Sequence, residues 1–506
     1  RHVVITKLPD PEIDFYAKLR GSRFFVRLFT YLLDARINYE LEEAFAKAVK
    51  NIRSQFNLAS FNALPLGQGG TLLRDSGEDI GLRHLVPNLE EKLADLHFPY
   101  GTIMKVMMDT PTRATWREAY GKDGRGVEGN VRGYTGEMDS PIYTGVYLAS
   151  QAHRYANTKN PEVIENLEPI LKGVERLVTF NGTGLLARTV VPKDSGIGRQ
   201  IVREGEVFNE QLIDGEPWIS FQGDNGVSRD QNIGIMFGLA NLYEMAGDDF
   251  PKLAKKCRYL VERLMDYFID HDWVLNGDFE LKGELESIPT LFGPANLHKF
   301  AFLAVANEMT DGKYKKELER IRPSADALWI PSWIGTVNQV SSYFGFNLAF
   351  LSYYMFFHFS DDPDLREKVF QAFRVSERAI ANHLNPHFDL LRLDFDPVLR
   401  EKLAPNVRES MNRFLDRGHR TVSPYPISRD TVEWREWRPP FSRKTKTVPV
   451  KPLPHIKREY ASDFQWAKPP FWFLDKNQNP RKEITGLAIT WPYWFGRTLG
   501  VFDATD

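Results

Sequence analysis

This sequence has a single cysteine, no long apolar run and no large excess of one charge. The single cysteine, Cys257, excludes an intramolecular disulfide and a zinc site built from cysteines. No apolar run reaches the ~18 residues that a membrane-spanning helix needs. The most apolar stretch, 344–359, is interrupted by polar residues that include His358. We therefore predict a buried helix there and no membrane span.

The balance of charge and several missing motifs exclude further classes of protein. The 65 basic and 67 acidic residues leave a net charge of −2, so no broad positive field favours nucleic acid. The sequence contains no dinucleotide-binding glycine motif after a strand, no Walker motif, no GxSxG and no HExxH. We therefore predict neither a cofactor nor a metal. The sequence begins with Arg1 and not with methionine. An export signal that has been removed, and with it a periplasmic or secreted location, is therefore compatible with the sequence, and so is the cytoplasm.

The pattern of apolar residues predicts two kinds of helix that alternate along the chain. Segments that are apolar on nearly every side are 139–156, 228–245, 297–309 and 343–359. Segments that are apolar on one side only are 161–178, 251–270 and 365–384. A helix that is apolar all round must be buried, whereas a one-sided helix covers it.

This alternation predicts a mainly all-α protein, most economically an (α/α) toroid of about six helical hairpins in two concentric rings. An irregular helical bundle and a solenoid are the alternatives, although no fixed repeat of 30–50 residues supports a solenoid. We expect a single domain over 1–506, with N-terminal helices and loops over 1–135 and core hairpins over 136–416. Residues 417–506 are rich in proline and aromatic residues, and we expect them to form an ordered wrap that closes the toroid.

Two acidic loops precede apolar helices and are the first candidates for chemistry. Glu137 and Asp139 lie just before the helix that carries Tyr143, although a capping role for Asp139 is the ordinary alternative. Asp224 and Asp230 flank the start of the next apolar helix.

The second loop contains further signals. Ser228 is a good helix cap, and Arg229 beside it is a candidate for binding an anionic group. Gly234 and Gly238 lie one turn apart and would permit close approach of another helix.

Other candidates are aromatic residues and a histidine. Sugar rings present apolar C–H faces that stack on indole, so Trp333, Trp491 and Trp494 are candidate sugar-binding residues. Trp466 and Trp472 belong to the same set of tryptophans. We expect Trp466, Trp491 and Trp494 to be at least partly buried against the helical body, with at least one of them bordering the main cleft.

His298 and Tyr343 lie near the starts of buried helices and complete the candidate set for substrate binding. A lone histidine is more often structural than catalytic, and this remains the alternative for His298.

Several segments together resemble a group of bacterial α/α-toroid proteins and, more broadly, carbohydrate-active toroid enzymes of the glycoside hydrolase and polysaccharide lyase types. These segments are DSPIYTGVYLASQAHRYANTKNP, LLARTVVP, GDNGVSRDQNIGIMFGL, DFQWAKPPF and WPYWFGR, and they span roughly residues 137–500. The resemblance implies the toroid fold. It also implies either a hydrolase that uses a pair of Asp residues or a lyase that uses Tyr or His with a neutralising Arg or Asn.

The first functional hypothesis is a glycoside hydrolase that acts on an oligo- or polysaccharide. Asp139 and Asp230 would be its acid and its base or nucleophile, with Glu137 and Asp224 as substitutes. Arg229 would bind an acidic group of the substrate.

Two alternatives stay open. In a polysaccharide lyase, Tyr143 or Tyr343 would abstract a proton next to a uronate carboxyl group, and Arg229 would stabilise the developing charge. A non-catalytic glycan-binding protein would use the same aromatic residues without turnover.

Overall fold

The computed structural model of the protein describes residues 81–122, 124, 129–222, 228–273, 275, 295–328, 343–381, 383–437, 445–461, 463–474 and 478–506. Two residues of the predicted site, Asp224 and Trp333, lie outside this described part. So do residues 1–80, most of the predicted N-terminal region.

The described part is mainly helical, as predicted. Numbered in chain order within it, the α-helices are α1 (Leu82–Leu96), α2 (Trp116–Tyr120), α3 (Ser140–Thr158), α4 (Glu162–Glu165), α5 (Glu168–Thr179), α6 (Gly196–Glu204), α7 (Arg229–Ala246), α8 (Pro251–Asp270), α9 (Ala295–Met309), α10 (Lys315–Ile321), α11 (Tyr343–Phe359), α12 (Pro363–Ile380), α13 (Pro386–Phe395), α14 (Arg400–Phe414) and α15 (Leu487–Thr498). None of the described helices combines the length and apolarity needed to cross a membrane.

Short strands form small antiparallel sheets between the helices. They are β1 (Lys105–Met108), β2 (Val131–Thr135), β3 (Thr189–Pro192), β4 (Val207–Ile213), β5 (Glu216–Phe221), β6 (Trp434–Trp437), β7 (Lys446–Pro449) and β8 (Lys482–Glu483). Within the described residues the strand orders are β2-β1-β8, β3-β5-β4 and β6-β7. Because β8 pairs with β1, the first sheet joins the C-terminal segment to residues that precede α3.

Helices α3 and α7 pack with their backbones in contact. A Cβ atom on Gly145 would lie 1.7 Å from the carbonyl oxygen of Gly234, and one on Gly234 would lie 2.2 Å from the Cα of Ile142. Gly238 contacts the Gly145 backbone in the same way. These contacts confirm the close approach predicted from the two glycines of α7.

The two helices run in the same direction and begin side by side. Gln231, in the first turn of α7, accepts a hydrogen bond at 3.0 Å from the backbone N–H of Ile142, in the first turn of α3. The loops that precede both helices therefore meet at one end of the pair.

The difference between apolar and one-sided helices is reproduced in burial. Every residue from Gln231 to Leu242 in α7 is buried. Helix α8 instead buries one stripe, which includes Leu253, Leu260 and Leu264, as a covering helix does.

One helix boundary was predicted wrongly. The sequence predicted a single helix over 161–178, whereas the structure has α4 and α5 with a break at Asn166 and Leu167. Pro169 explains the break, because proline has no N–H to donate to the carbonyl of Glu165 and its ring clashes with that carbonyl.

The aromatic C-terminal segment packs against the helical body. Trp466, Trp491 and Trp494 are all buried, as predicted. The sequence WPYWFGR, expected to end an irregular wrap, instead lies inside α15, which contacts α1, α3 and α13. A helix surrounded by other helices removes more of this apolar surface from water than an irregular wrap would.

Candidate functional site

A cavity of about 360 Å³ lies where α3 and α11 begin. Residues 460–472 of the C-terminal segment form its other wall. The described aromatic residues that line it are Tyr143, Tyr343, Phe344, Tyr460, Phe464 and Trp472. The described charged residues that line it are Lys105, Asp139, Asp463 and Lys468. Acidic groups and aromatic rings therefore line the same small cavity.

Asp139 precedes α3 but does not cap it with its side chain. Gln231 supplies the acceptor for the first turn of α3, and its Nε2 lies 3.4 Å from the Asp139 carboxylate, at the long end of hydrogen-bond distance. The capping alternative for Asp139 therefore does not describe this structure, and its carboxylate lies in the cavity wall.

Asp463 is the second carboxylate in the cavity. Its Oδ2 lies 3.0 Å from the Lys105 ammonium, and both side chains are largely buried. Burial raises the pKa of Asp463 and the charge of Asp139 raises it further, whereas Lys105 acts in the opposite direction. The net effect favours the protonated acid more than in water.

Backbone geometry near Gly136 brings Lys105 to Asp463. Gly136 has a φ of 88°, a conformation that residues with a side chain rarely adopt. A Cβ atom at Gly136 would lie 2.7 Å from the Cδ of Lys105. Glycine is therefore needed here both for the turn before Asp139 and for the path of the lysine side chain.

Tyr143 lies among several carboxylates. It is 6% exposed. Burial raises its pKa well above the ordinary range, and the charges of Asp463, Asp139 and Asp230 raise it further. Its hydroxyl therefore keeps its proton and is suited to donating a hydrogen bond rather than to removing a proton from substrate.

Asp230 and Arg229 lie at the start of α7, beside this cavity. Ser228 caps the helix by accepting from the N–H of Asp230 at 3.3 Å, as predicted. Asp230 is not among the described residues that line the cavity, although its charge acts on Tyr143. Arg229 Nε lies 3.9 Å from the carboxylate of Asp230.

Tyr343 lines the cavity, whereas His298 does not. Asn385 donates to the Tyr343 hydroxyl at 3.3 Å, and burial raises the pKa of that hydroxyl. His298 is fully buried, with Nδ1 2.7 Å from the hydroxyl of Ser352. Burial, and then the charge of Arg229, hold the pKa of His298 well below its usual range, so the ring is neutral.

The assignment of Trp491 and Trp494 to sugar binding requires correction. Trp491 is fully buried and donates to His387 Nδ1 at 2.9 Å, and Trp494 donates to the carboxylate of Glu90 at 2.9 Å. Both indoles are part of the helical core, because α15 is surrounded by other helices. Neither of them lines the cavity, and Trp466 does not line it either, so the prediction that at least one of the three borders it was wrong. Trp472, half-buried in the cavity wall, borders it instead.

Sequence reasoning did not select Asp463 or Lys105. A signal for Asp463 was present, since it opens the segment DFQWAKPPF that carries part of the resemblance. Lys105 lies in a strand of four residues and had no distinguishing pattern. The backbone of Glu137 forms a short helix with Asp139, and its side chain lies outside the described part.

Comparisons with known proteins assign no family to this chain. No family model matches the chain, and no curated protein matches it either. In the described part, no three His, Cys, Asp or Glu side chains are grouped so as to hold a metal ion. Function must therefore be inferred from the cavity itself.

Proposed function

We propose that the protein is a glycan-active enzyme, a glycoside hydrolase whose active site is the cavity between α3, α11 and residues 460–472. One observation carries the proposal. Asp139 and Asp463 line the same aromatic cavity, and burial raises the pKa of Asp463. Glycoside hydrolysis needs one carboxylic acid and one carboxylate beside the same bond, with pKa values that differ.

The two carboxyl groups have distinct roles in this proposal. Asp463 protonates the leaving oxygen. Asp139 either attacks the anomeric carbon or activates a water molecule. Their separation in the substrate complex decides the stereochemistry, since retaining enzymes place the groups about 5–5.5 Å apart and inverting enzymes about 6.5–9.5 Å.

Asp463 thus replaces Asp230 as the preferred partner of Asp139. Asp230, close enough to act on Tyr143, remains the second candidate for that role.

The aromatic lining supports a sugar as the ligand. Tyr143, Phe464 and Trp472 offer apolar faces on which the C–H face of a sugar can pack. The hydroxyls of Tyr143 and Tyr343 can donate to sugar oxygens because both retain their protons. A volume of about 360 Å³ lies within the range of roughly 300–1,000 Å³ found for small-molecule sites.

We also infer that the helices are arranged as an (α/α) toroid of six pairs. Successive contacts support a closed ring of buried helices in the order α3, α7, α9, α11, α13, α15 and back to α3. Each buried helix also contacts a covering helix, and these are α5, α8, α10, α12, α14 and α1 in the same order. Such a ring would place the starts of α3, α7 and α11 around one opening.

Activity measurements on a panel of neutral and acidic oligo- and polysaccharides test the proposal. We expect the protein to release new reducing ends from at least one of them. Asp463→Asn and Asp139→Asn should each lower kcat by about 10²- to 10⁴-fold, the usual contribution of an acid or base. Asp95→Asn is the matched control, because this carboxylate is exposed on α1.

The products separate the alternatives. An unsaturated product that absorbs in the ultraviolet would instead indicate a lyase with Tyr143 or Tyr343 as base. The raised pKa of both residues argues against that mechanism. Binding without any product would identify a glycan-binding protein. Full activity in both Asp→Asn variants would refute the assigned pair.

A further inference from the structure

A second cavity, of about 850 Å³, lies at the opposite end of α11. It lies where α11 ends, α12 begins and α13 ends. Phe357, Phe370 and Phe395 line it, and all three rings are partly exposed. Asp361 and Glu367 are exposed carboxylates in the same lining. Aromatic faces and carboxylates thus meet around an open space that the proposed hydrolase does not use.

The charge state of His358 reports the electrostatic potential in this cavity. His358 Nδ1 lies 2.7 Å from Glu244 and Nε2 lies 2.8 Å from Asp394. Burial lowers the pKa of His358, but the hydrogen bonds and charges of these two carboxylates outweigh burial and raise it to about 10. A half-buried imidazole that keeps its proton shows that the surroundings stabilise positive charge.

Two guanidinium groups already lie over rings of this cavity, and one of them is Arg374, 5.7 Å from the centre of the Phe370 ring. Arg366 lies over the Phe357 ring at 5.5 Å and donates to the carbonyls of Phe357 and Ser360, both at 2.7 Å. Its Nη1 therefore binds the C-terminal end of α11. Within the described residues, Asp361 and Glu367 take part in no ion pair. Glu367 accepts a hydrogen bond from the neutral Gln371 amide at 2.7 Å. The described lining carries three carboxylates (Asp361, Glu367 and Asp394) and two cations (His358 and Arg366), so negative charge exceeds positive charge by one.

We propose that this cavity, bounded by Phe357, Phe370 and Phe395, binds a small organic cation such as an ammonium or quaternary amine with apolar substituents. The faces of aromatic rings attract cations, most strongly where water is partly excluded. Carboxylates at the rim add attraction for the charge, and the rings accommodate the apolar groups. The site is independent of the hydrolase proposal, since no lining residue is shared between the two cavities.

Calorimetric titration of the full-length chain with choline at low ionic strength tests this site. The matched probe is 3,3-dimethyl-1-butanol, which has the same shape with carbon in place of the charged nitrogen. We expect saturable binding of choline, and binding of the neutral probe weaker by at least about fivefold. Asp361→Asn combined with Glu367→Gln should weaken choline by about two- to fivefold and leave the neutral probe unchanged.

Two further variants test the contribution of the aromatic rings and that of a nearby acid outside the lining. Phe370→Leu keeps apolar volume but removes the ring, so it should weaken choline by about two- to fivefold. Asp364→Asn removes an acid from the same helix that is not in the lining, and it should leave choline binding unchanged. Equal affinity for choline and its neutral analogue, or no saturable choline binding, would overturn the proposal. Unchanged choline affinity in both the double acid variant and Phe370→Leu would also overturn it.

Discussion

Asp463, largely buried, and Glu483, fully buried, are carboxylates of the same C-terminal segment, yet their pKa values are displaced in opposite directions. Burial raises the pKa of Asp463, and its ion pair with Lys105 does not reverse this effect. Burial also acts to raise the pKa of Glu483, but the charges of Lys92 and His419 outweigh it and hold that pKa well below its usual range.

The number of donors explains the difference. Glu483 receives the Lys92 ammonium and the Arg420 guanidinium, with His419 at 2.9 Å and the Tyr120 hydroxyl at 3.2 Å. A carboxylate with so many donors is stabilised as an anion and links α1, α2 and β8. Burial by itself therefore does not decide the direction of the pKa change, because the donors around each carboxylate can outweigh it.

Glu483→Gln should have the largest effect on stability. It would leave the buried charges of Lys92 and Arg420 without their partner, and both side chains are almost fully buried. We expect the free energy of unfolding to fall by about 3–5 kcal/mol, the usual cost of breaking a buried ion pair. Guanidinium denaturation followed by circular dichroism measures it. A loss below about 1 kcal/mol would remove the contrast with Asp463.

Helices α3 and α7 are in backbone contact near the cavity. Adding a single methyl group at that contact should therefore also lower the free energy of unfolding. Gly145→Ala would force α3 away from Gly234, and we expect a loss of about 1–3 kcal/mol or more in unfolding free energy. Gly345→Ala in α11 is the control, with no described atom within 4 Å of the new Cβ. It should stabilise by about 0.5–1 kcal/mol. Equal effects would show that the close approach is unimportant.

The opposite pKa displacements of Glu483 and Asp463 should also be visible in how the free energy of unfolding changes at acidic pH. The pKa of Glu483 is lowered in the folded protein, so its stabilisation is present above its ordinary pKa of 4.5 and is lost as pH falls. The pKa of Asp463 is raised, so its contribution is greatest at low pH and declines as pH rises above 3.8.

Removing each group should therefore change the pH dependence in opposite ways. Glu483→Gln should flatten the rise of unfolding free energy with pH, and Asp463→Asn should steepen it. Each change is at most about 1.4 kcal/mol per pH unit. Denaturation between pH 3 and 6 (roughly the range that brackets both ordinary pKa values) measures the two slopes. Slopes altered in the same direction would contradict the comparison.

Asp463→Asn should have the smallest effect on stability. The amide has nearly the same shape, and the ionised carboxylate that it replaces is already disfavoured by burial. Lys105 keeps some contact with solvent, so its charge is not stranded. We expect a change within about 1 kcal/mol at neutral pH, the range of a partly exposed pair. A loss as large as that of Glu483→Gln would assign Asp463 a structural role.

Local patterns predicted most of the helices and part of the site. The bounds of α8 match the predicted 251–270, and the predicted 139–156 and 228–245 correspond closely to α3 and α7. Asp139, Tyr143 and Tyr343 were chosen because they lie near helix starts, and all three line one cavity.

Burial and pairing across long sequence distances were not predictable in the same way. Trp491 and Trp494 were assigned to sugar binding because α15 was not recognised as a helix surrounded by others. Lys105 and Asp463 are far apart in the chain, and β1, Gly136 and residues 460–472 bring them together.

The sequence by itself determined which helices are buried, because apolar periodicity reflects burial directly, and it determined that acidic residues precede two of them. Only the tertiary structure decided in which direction each buried carboxylate's pKa is displaced. The pKa of an acid depends on how many donors surround it, and those donors come from other parts of the chain. Asp463 and Glu483 are both acidic residues of the same C-terminal segment, and their partners in the fold separate a candidate catalytic acid from a structural anion.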